Sequence, residues 1–140
     1  MDTTPPTVTP HVVTQQIEIV DSAGRPRLLL SAQSGAPVLQ LLQPDGKVGA
    51  EVSLSGGYPV VKLSNPDPNG PTAALEVDDK GAHVKFDRPG GASSYLFLNN
   101  AGGSGVVLID GAGVRRLDAM VGADGAPKVE RYGADGKPLP

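Results

Sequence analysis

The chain has 140 residues, the length of one domain, and its 19 Gly and 14 Pro are about twice the usual share. Residues this poor in helix propensity, spread through the sequence, exclude a long-helix protein. A net charge of −3, with 12 basic against 15 acidic residues, offers no basic surface for phosphates and argues against a nucleic-acid partner, and the absence of Cys removes disulfides, thiol catalysis and thiolate zinc sites.

Residues 1–16 form the first segment. Thr3, Thr4, Pro5, Pro6, Thr7, Thr9, Pro10 and Thr14 crowd into a stretch without a periodic apolar face. Such composition favours an extended arm that cannot fold alone, read either as a disordered tail or as a tether that becomes ordered on a neighbouring subunit through Val8, Val12 and Val13. Met1-Asp2-Thr3-Thr4-Pro5-Pro6 shows no basic region followed by an apolar one, so the expectation is a protein made in the cytoplasm without a signal peptide. Gly, Pro or a charge interrupts each apolar run well short of the about 20 residues that span a bilayer, so no membrane partner is expected.

From residue 17 turn signals recur about every 11 residues, a spacing typical of short-stranded β folds. They fall at Ser22-Ala23-Gly24, Ser34-Gly35, Asp45-Gly46, Gly56-Gly57, Asn69-Gly70, Lys80-Gly81, Gly90-Gly91, Gly102-Gly103, Asp110-Gly111, Asp124-Gly125 and Asp135-Gly136. Asp-Gly, Asn-Gly and Gly-Gly suit the primed turns of two-residue hairpins. Between the turns apolar residues stand two apart: Ile17/Ile19, Leu28/Leu30, Leu39/Leu41, Val52/Leu54, Val61/Leu63, Leu75/Val77, Val84/Phe86, Leu96/Leu98, Val107/Ile109 and Leu117/Ala119, with a weaker last member around Val129 and Tyr132. The residues between them, Glu18, Gln40, Ser53, Lys62, Glu76, Lys85 and Asp118, are polar. This is the alternation of a half-buried strand, polar side to water, and it predicts about eleven short strands and no helix.

Alternate strands repeat at a longer interval. Segments opening at Pro37, Pro59, His83, Gly105 and Pro127 lie about 22 residues apart, a tandem hairpin array whose units stack on one another. Two inward side chains per strand make a thin core. Leu28-Leu29-Leu30, Leu41-Leu42, Val60-Val61, Tyr95-Leu96-Phe97-Leu98 and Val106-Val107-Leu108-Ile109 supply apolar groups to both faces. The array therefore gains by sharing surface with copies of itself. We expect an all-β body over 17–140 that forms a homotrimer, as a three-sided β-prism or an intertwined β-helix; a closed barrel or β-trefoil-like monomer is the alternative.

Catalytic chemistry is sparse. His11 lies in the arm and His83 opens a strand, and the sequence relates no carboxylate to either, so no catalytic residue is assigned. Gly102-Gly103-Ser104-Gly105 lacks the spacing of a nucleophile elbow, and Gly111-Ala112-Gly113 precedes a strand rather than a helix, so no cofactor site is assigned. Asn65-x-Asp67-x-Asn69-Gly70 with Glu76 matches the spacing of a calcium loop, but Asn stands first, Pro66 and Pro68 stiffen the segment, and strands flank it. Glu76 is equally the polar residue between Leu75 and Val77, and no metal ligand is assigned. Arg25, Arg27, Lys47, Lys80, Arg88, Arg115, Arg116, Lys128 and Arg131 read as solvated edges and turns that oppose aggregation.

Asp21-Ser22-Ala23-Gly24-Arg25 and Pro44-Asp45-Gly46-Lys47, with Gly35-Ala36-Pro37-Val38 and Gly57-Tyr58-Pro59-Val60, resemble the β-hairpin repeats of bacteriophage virion proteins. The resemblance covers 17–136 and lies in the repeat pattern. Tail fibres and trimeric capsid-decorating proteins use such repeats, the latter often with N-terminal arms. It implies a non-enzymatic structural protein of a virion, a homotrimer whose arm contacts another virion or surface protein. A monomeric carbohydrate-binding module is the alternative, against which five aromatic residues and no Trp count.

Overall fold

The computed structural model describes residues 11–140. Of the arm, residues 1–10 lie outside the described residues, and 11–15 are exposed and without regular structure. Eleven strands follow: β1 Gln16–Val20, β2 Pro26–Ser31, β3 Val38–Leu42, β4 Val48–Ser55, β5 Tyr58–Leu63, β6 Thr72–Val77, β7 Gly81–Asp87, β8 Ser93–Asn99, β9 Ser104–Ile109, β10 Arg115–Val121 and β11 Pro127–Arg131. The number is the one the turn spacing predicts, and the described residues contain no helix.

All eleven strands join in one antiparallel sheet in sequence order, each strand's backbone lying beside only its neighbours in the chain. This is the simplest outcome of consecutive short hairpins, because antiparallel partners need only a tight connection. The sheet is open. β1 and β11 do not pair, so the barrel and trefoil alternatives are not formed. Beyond β11 the chain turns once more, and Tyr132 bridges Pro138 while the Leu139 N–H donates to Arg131 O at 2.8 Å, beginning to cover that edge.

The turns use a different device from the primed hairpin expected throughout. Only Gly56-Gly57 is a two-residue connection with both φ values positive, at 59° and 90°. In the recurrent loop, exemplified by residues 21–25, Asp21 Oδ1 accepts the backbone N–H groups of Ala23 (2.9 Å) and Arg25 (3.1 Å), and Gly24 takes φ 75° to close it. Asp leads the loop at 21 and 110, whereas at 43–47, 122–126 and 133–137 the Asp stands third and accepts the N–H two residues on; in each, a glycine three residues after the leading one supplies the left-handed residue that returns the chain to the ladder. At Asp110 the same geometry places the left-handed residue at Gly113, not at Gly111 as the dipeptide suggests.

These turns carry a pH dependence. Backbone N–H groups, the largest influence being the one on Arg25, Lys80 and Val114 respectively, hold the Asp21, Asp78 and Asp110 carboxyls below their ordinary values, because they donate to the charged form. The depressed folded values mean that this stabilisation is fully present above the unfolded value of about 3.9 and is lost as pH falls through the folded ones. The midpoint of thermal unfolding is expected to stay level from neutral pH to about 4.5 and to fall below about pH 4, and the combined Asp21→Asn, Asp78→Asn and Asp110→Asn variant is expected to show a shallower fall in the same scan.

Candidate functional site

Directly paired residues in an antiparallel ladder share a face, so the register sorts every side chain. One row runs through all eleven strands: Ile17, Leu30, Leu39, Val52, Val61, Leu75, Val84, Leu96, Val106, Ala119 and Val129. Each member is apolar. Beside it a second row contains Ile19, Leu28, Leu41, Leu63, Phe86, Leu108 and Leu117. Leu54, Val77, Leu98 and Val121 flank the first row on the other side.

This apolar face is the exposed one. Leu75 is 50%, Leu63 53% and Leu96 57% accessible, while the only buried hydrophobic residues among those described are Val60 and Val107, both on the opposite face. Of the polar partners expected to face water, Glu18 and Lys62 are exposed, but Gln40, Ser53, Glu76 and Lys85 are half-buried and Asp118 is buried. Within one chain the polarity of the sheet is thus inverted relative to the expectation. The physical reason is that the long polar side chains of the other face engage and cover one another, whereas the apolar side chains in a single layer have no second layer to cover them. One strand also changes phase. Val107 and Ile109 face the polar side and Val106 and Leu108 the apolar side, because four consecutive apolar residues carry no phase and the neighbours β8 and β10 decide it.

The polar face is knitted by cross-strand pairs. Gln40 Nε2 donates to Glu51 at 2.7 Å and Ser53 Oγ to the other Glu51 oxygen at 2.9 Å, holding the Glu51 carboxyl below its ordinary value. Lys85 pairs with Asp87 at 2.8 Å, and His83 Nε2 lies 2.8 Å from Glu76. The sequence reading relates no carboxylate to His83, whereas the Lys80-Gly81 turn sets Glu76 directly opposite it. In the segment with calcium-loop spacing, Asn65 Oδ1 accepts the Asp67 N–H at 3.0 Å and Asp67 Oδ1 the Asn69 N–H at 2.9 Å, while Glu76 faces His83 across the ladder.

Asp118 is the one buried carboxylate, 2% accessible, and its Oδ2 accepts Arg115 Nη1 at 2.9 Å, while Arg115 Nη2 donates to the Tyr95 hydroxyl at 3.0 Å. Arg115 is therefore not simply a solvated turn residue. Its side chain is nonetheless 47% accessible, so screening reduces what the pair contributes. Asp118→Ala is expected to cost about 1–3 kcal/mol, from the lost charged hydrogen bond and the void left over Val107, read as a lower urea midpoint with unchanged slope. Between β6 and β10 the same face holds a cleft of about 480 Å³ lined by Glu76, His83, Lys85, Tyr95, Phe97, Arg115 and Met120 among others.

His11, the other histidine, is exposed in the segment before β1. No helix among the described residues is long and apolar enough to cross a membrane. Compared with protein-family models and with curated proteins, the chain matches none.

Proposed function

We propose that this protein is a non-enzymatic structural protein that works as a homo-oligomer, with the apolar face of its sheet buried between copies of itself. The observation that carries the reading is the unbroken apolar row across eleven strands, flanked by two further rows that are largely apolar and exposed in the single chain. Monomeric proteins rarely leave a contiguous apolar patch larger than a few hundred Å² in water. Ten inter-strand steps of about 4.8 Å and strands about 17–20 Å long give this face about 800–900 Å², which is the area one partner contributes to a stable protein interface.

A second copy suits the face better than an unrelated partner. Its chemistry is uniform from β1 to β11, without a charged residue in the central row, so what it asks of a partner is an equally long and uncharged surface, which the same chain supplies. Three such sheets facing a common axis make a β-prism, the arrangement the repeat pattern favours. The repeat array, the arm and the want of a catalytic constellation support a place in a virion, as a capsid-decorating or fibre component whose residues 1–16 contact another virion or surface protein.

Multi-angle light scattering on the purified chain tests this. A mass near three times 14.3 kDa is expected, and a folded monomer at micromolar concentration overturns the reading. Removing residues 1–16 is expected to leave that mass ratio at three while abolishing attachment to the surface partner.

A further inference from the structure

The cleft on the polar face interrupts the repeat in a specific way. At the two matching polar-face positions of the other even-numbered strands stand Leu29 and Ser31 on β2, Glu51 and Ser53 on β4, Ala74 and Glu76 on β6, and Asp118 and Met120 on β10. On β8 the same two positions are Tyr95 and Phe97. None of the other even-numbered strands carries an aromatic residue at these positions, so β8 alone brings two rings to this face.

The surroundings of the rings are also particular. Phe97 is directly opposite Gly105, which is in turn opposite Met120, and the Met120 side chain lies over the glycine, so that Phe97 and Met120 wall the cleft together with Val107, itself 1% accessible. The glycine is needed there: a Cβ at Gly105 would lie 2.7 Å from the Ala119 carbonyl oxygen and 2.8 Å from Met120 Cγ. The rings of Tyr95 and Phe97 stand 6.1 Å apart at 48°, forming an apolar corner rather than a parallel slot.

Polar groups ring this corner with unused capacity. Glu76 Oε2 meets His83, and its other oxygen has no partner among the described residues. The Tyr95 oxygen accepts from Arg115, which leaves its own hydrogen free to donate, and Lys85 retains donors beyond the one facing Asp87. Of the groups lining the cleft, His83 meets Glu76, Lys85 meets Asp87 and Arg115 meets Asp118, while Lys80 is accompanied by Asp78, whose Oδ1 accepts the Lys80 backbone N–H. The site thus has no surplus charge to select an ionic ligand, and its tilted rings do not suit a flat base held between two faces.

We infer that the cleft between β6 and β10 is a binding site for a neutral saccharide, with the C–H face of a pyranose ring in the Tyr95–Phe97 corner and its hydroxyls on Glu76 and the Tyr95 hydroxyl. A volume of about 480 Å³ suits a mono- or disaccharide. The site lies on the face opposite the self-association surface, so an oligomer would present one on each outward side, and the two readings stand or fall separately.

The test is an isotope-edited NMR titration of the full chain with glucose, galactose and N-acetylglucosamine. Saturable shifts confined to β7–β10 are expected for at least one of them. Tyr95→Phe is expected to weaken binding a few-fold, and the combined Tyr95→Leu and Phe97→Leu variant by about tenfold or more while keeping the wild-type circular dichroism and solution mass. If the double variant does not fold, Phe97→Leu alone carries the comparison. No saturable shift with any of the three sugars, shifts mapping elsewhere, or undiminished affinity in the leucine variants overturns the site, whatever mass light scattering gives.

Discussion

Replacing Leu75 and Leu96 by lysine is expected to reduce the protein to a monomer under conditions where the wild type is fully associated. Both residues sit in the central apolar row, on β6 and β8 in the middle of the sheet, and are 50% and 57% accessible in the single chain. In an isolated sheet such exposed positions tolerate substitution within about 0.5 kcal/mol, so a monomeric protein would scarcely register the change. In an interface each leucine withdraws about 2 kcal/mol of apolar burial, and each lysine must either keep its ammonium unpaired in an apolar layer or hold the two sheets apart. A combined loss of at least about 4 kcal/mol per contact weakens association about a thousandfold, which sedimentation equilibrium resolves. Val129→Lys, at the β11 end of the same row, is expected to have a smaller effect because the edge of an interface is already hydrated. Unchanged association in the Leu75→Lys and Leu96→Lys variant would remove the apolar face from the assembly altogether.

The fold was legible because its period is short and its punctuation explicit. Every turn dipeptide from Gly24 to Gly136 falls between strands or beyond β11, save that Gly81 is also the first residue of β7, and the residues two apart that open the count, Ile17/Ile19 and Leu28/Leu30, lie on one face as alternation requires. What alternation cannot say is which face stays exposed. That depends on which side chains cover one another across neighbouring strands, pairings that no single segment encodes. Four apolar residues in a row on β9 likewise hide their phase until β8 and β10 are in place.

The candidate cleft divides along the same line. The Glu76–His83 pair follows from the Lys80-Gly81 turn, since a hairpin's register is fixed by its loop, and it could have been found by counting outward from that turn. The burial of Asp118 could not. It needs Arg115, displaced by the irregularity between Arg115 and Leu117, to reach back over it, and Tyr95 from two strands away to hold the guanidinium. Tyr95 and Phe97 were visible as residues capable of filling either face, but that they wall one cleft with Met120, Glu76 and His83 follows only once the strands from β6 to β10 lie side by side.

Gly81→Ala is expected to be among the most damaging single-methyl substitutions in the chain. Gly81 begins β7 with φ 149° and is buried against β8, where it pairs with Asn99. A Cβ there would lie 2.2 Å from the Leu98 carbonyl oxygen and 2.7 Å from Asn99 Cα, and backbone atoms in a ladder cannot rotate aside as a side chain can. Relief requires β7 and β8 to part at that end, which would also strain the Asp78 turn, where Gly81 donates to Asp78 Oδ1 at 3.0 Å and its carbonyl accepts the Asp78 N–H at 2.8 Å. Gly113→Ala is the matched comparison: φ is 77°, but nothing lies within 4 Å of the added methyl. It carries the left-handed strain alone, about 1 kcal/mol, whereas Gly81→Ala adds the backbone collision and is expected to cost about 3 kcal/mol or more. Urea unfolding of the two variants separates these terms. Equal midpoints would mean that β7 and β8 are not held together at Gly81, and because that hairpin supplies the Glu76–His83 side of the cleft and the centre of the apolar row, both surfaces would then have to be sought on a differently paired sheet.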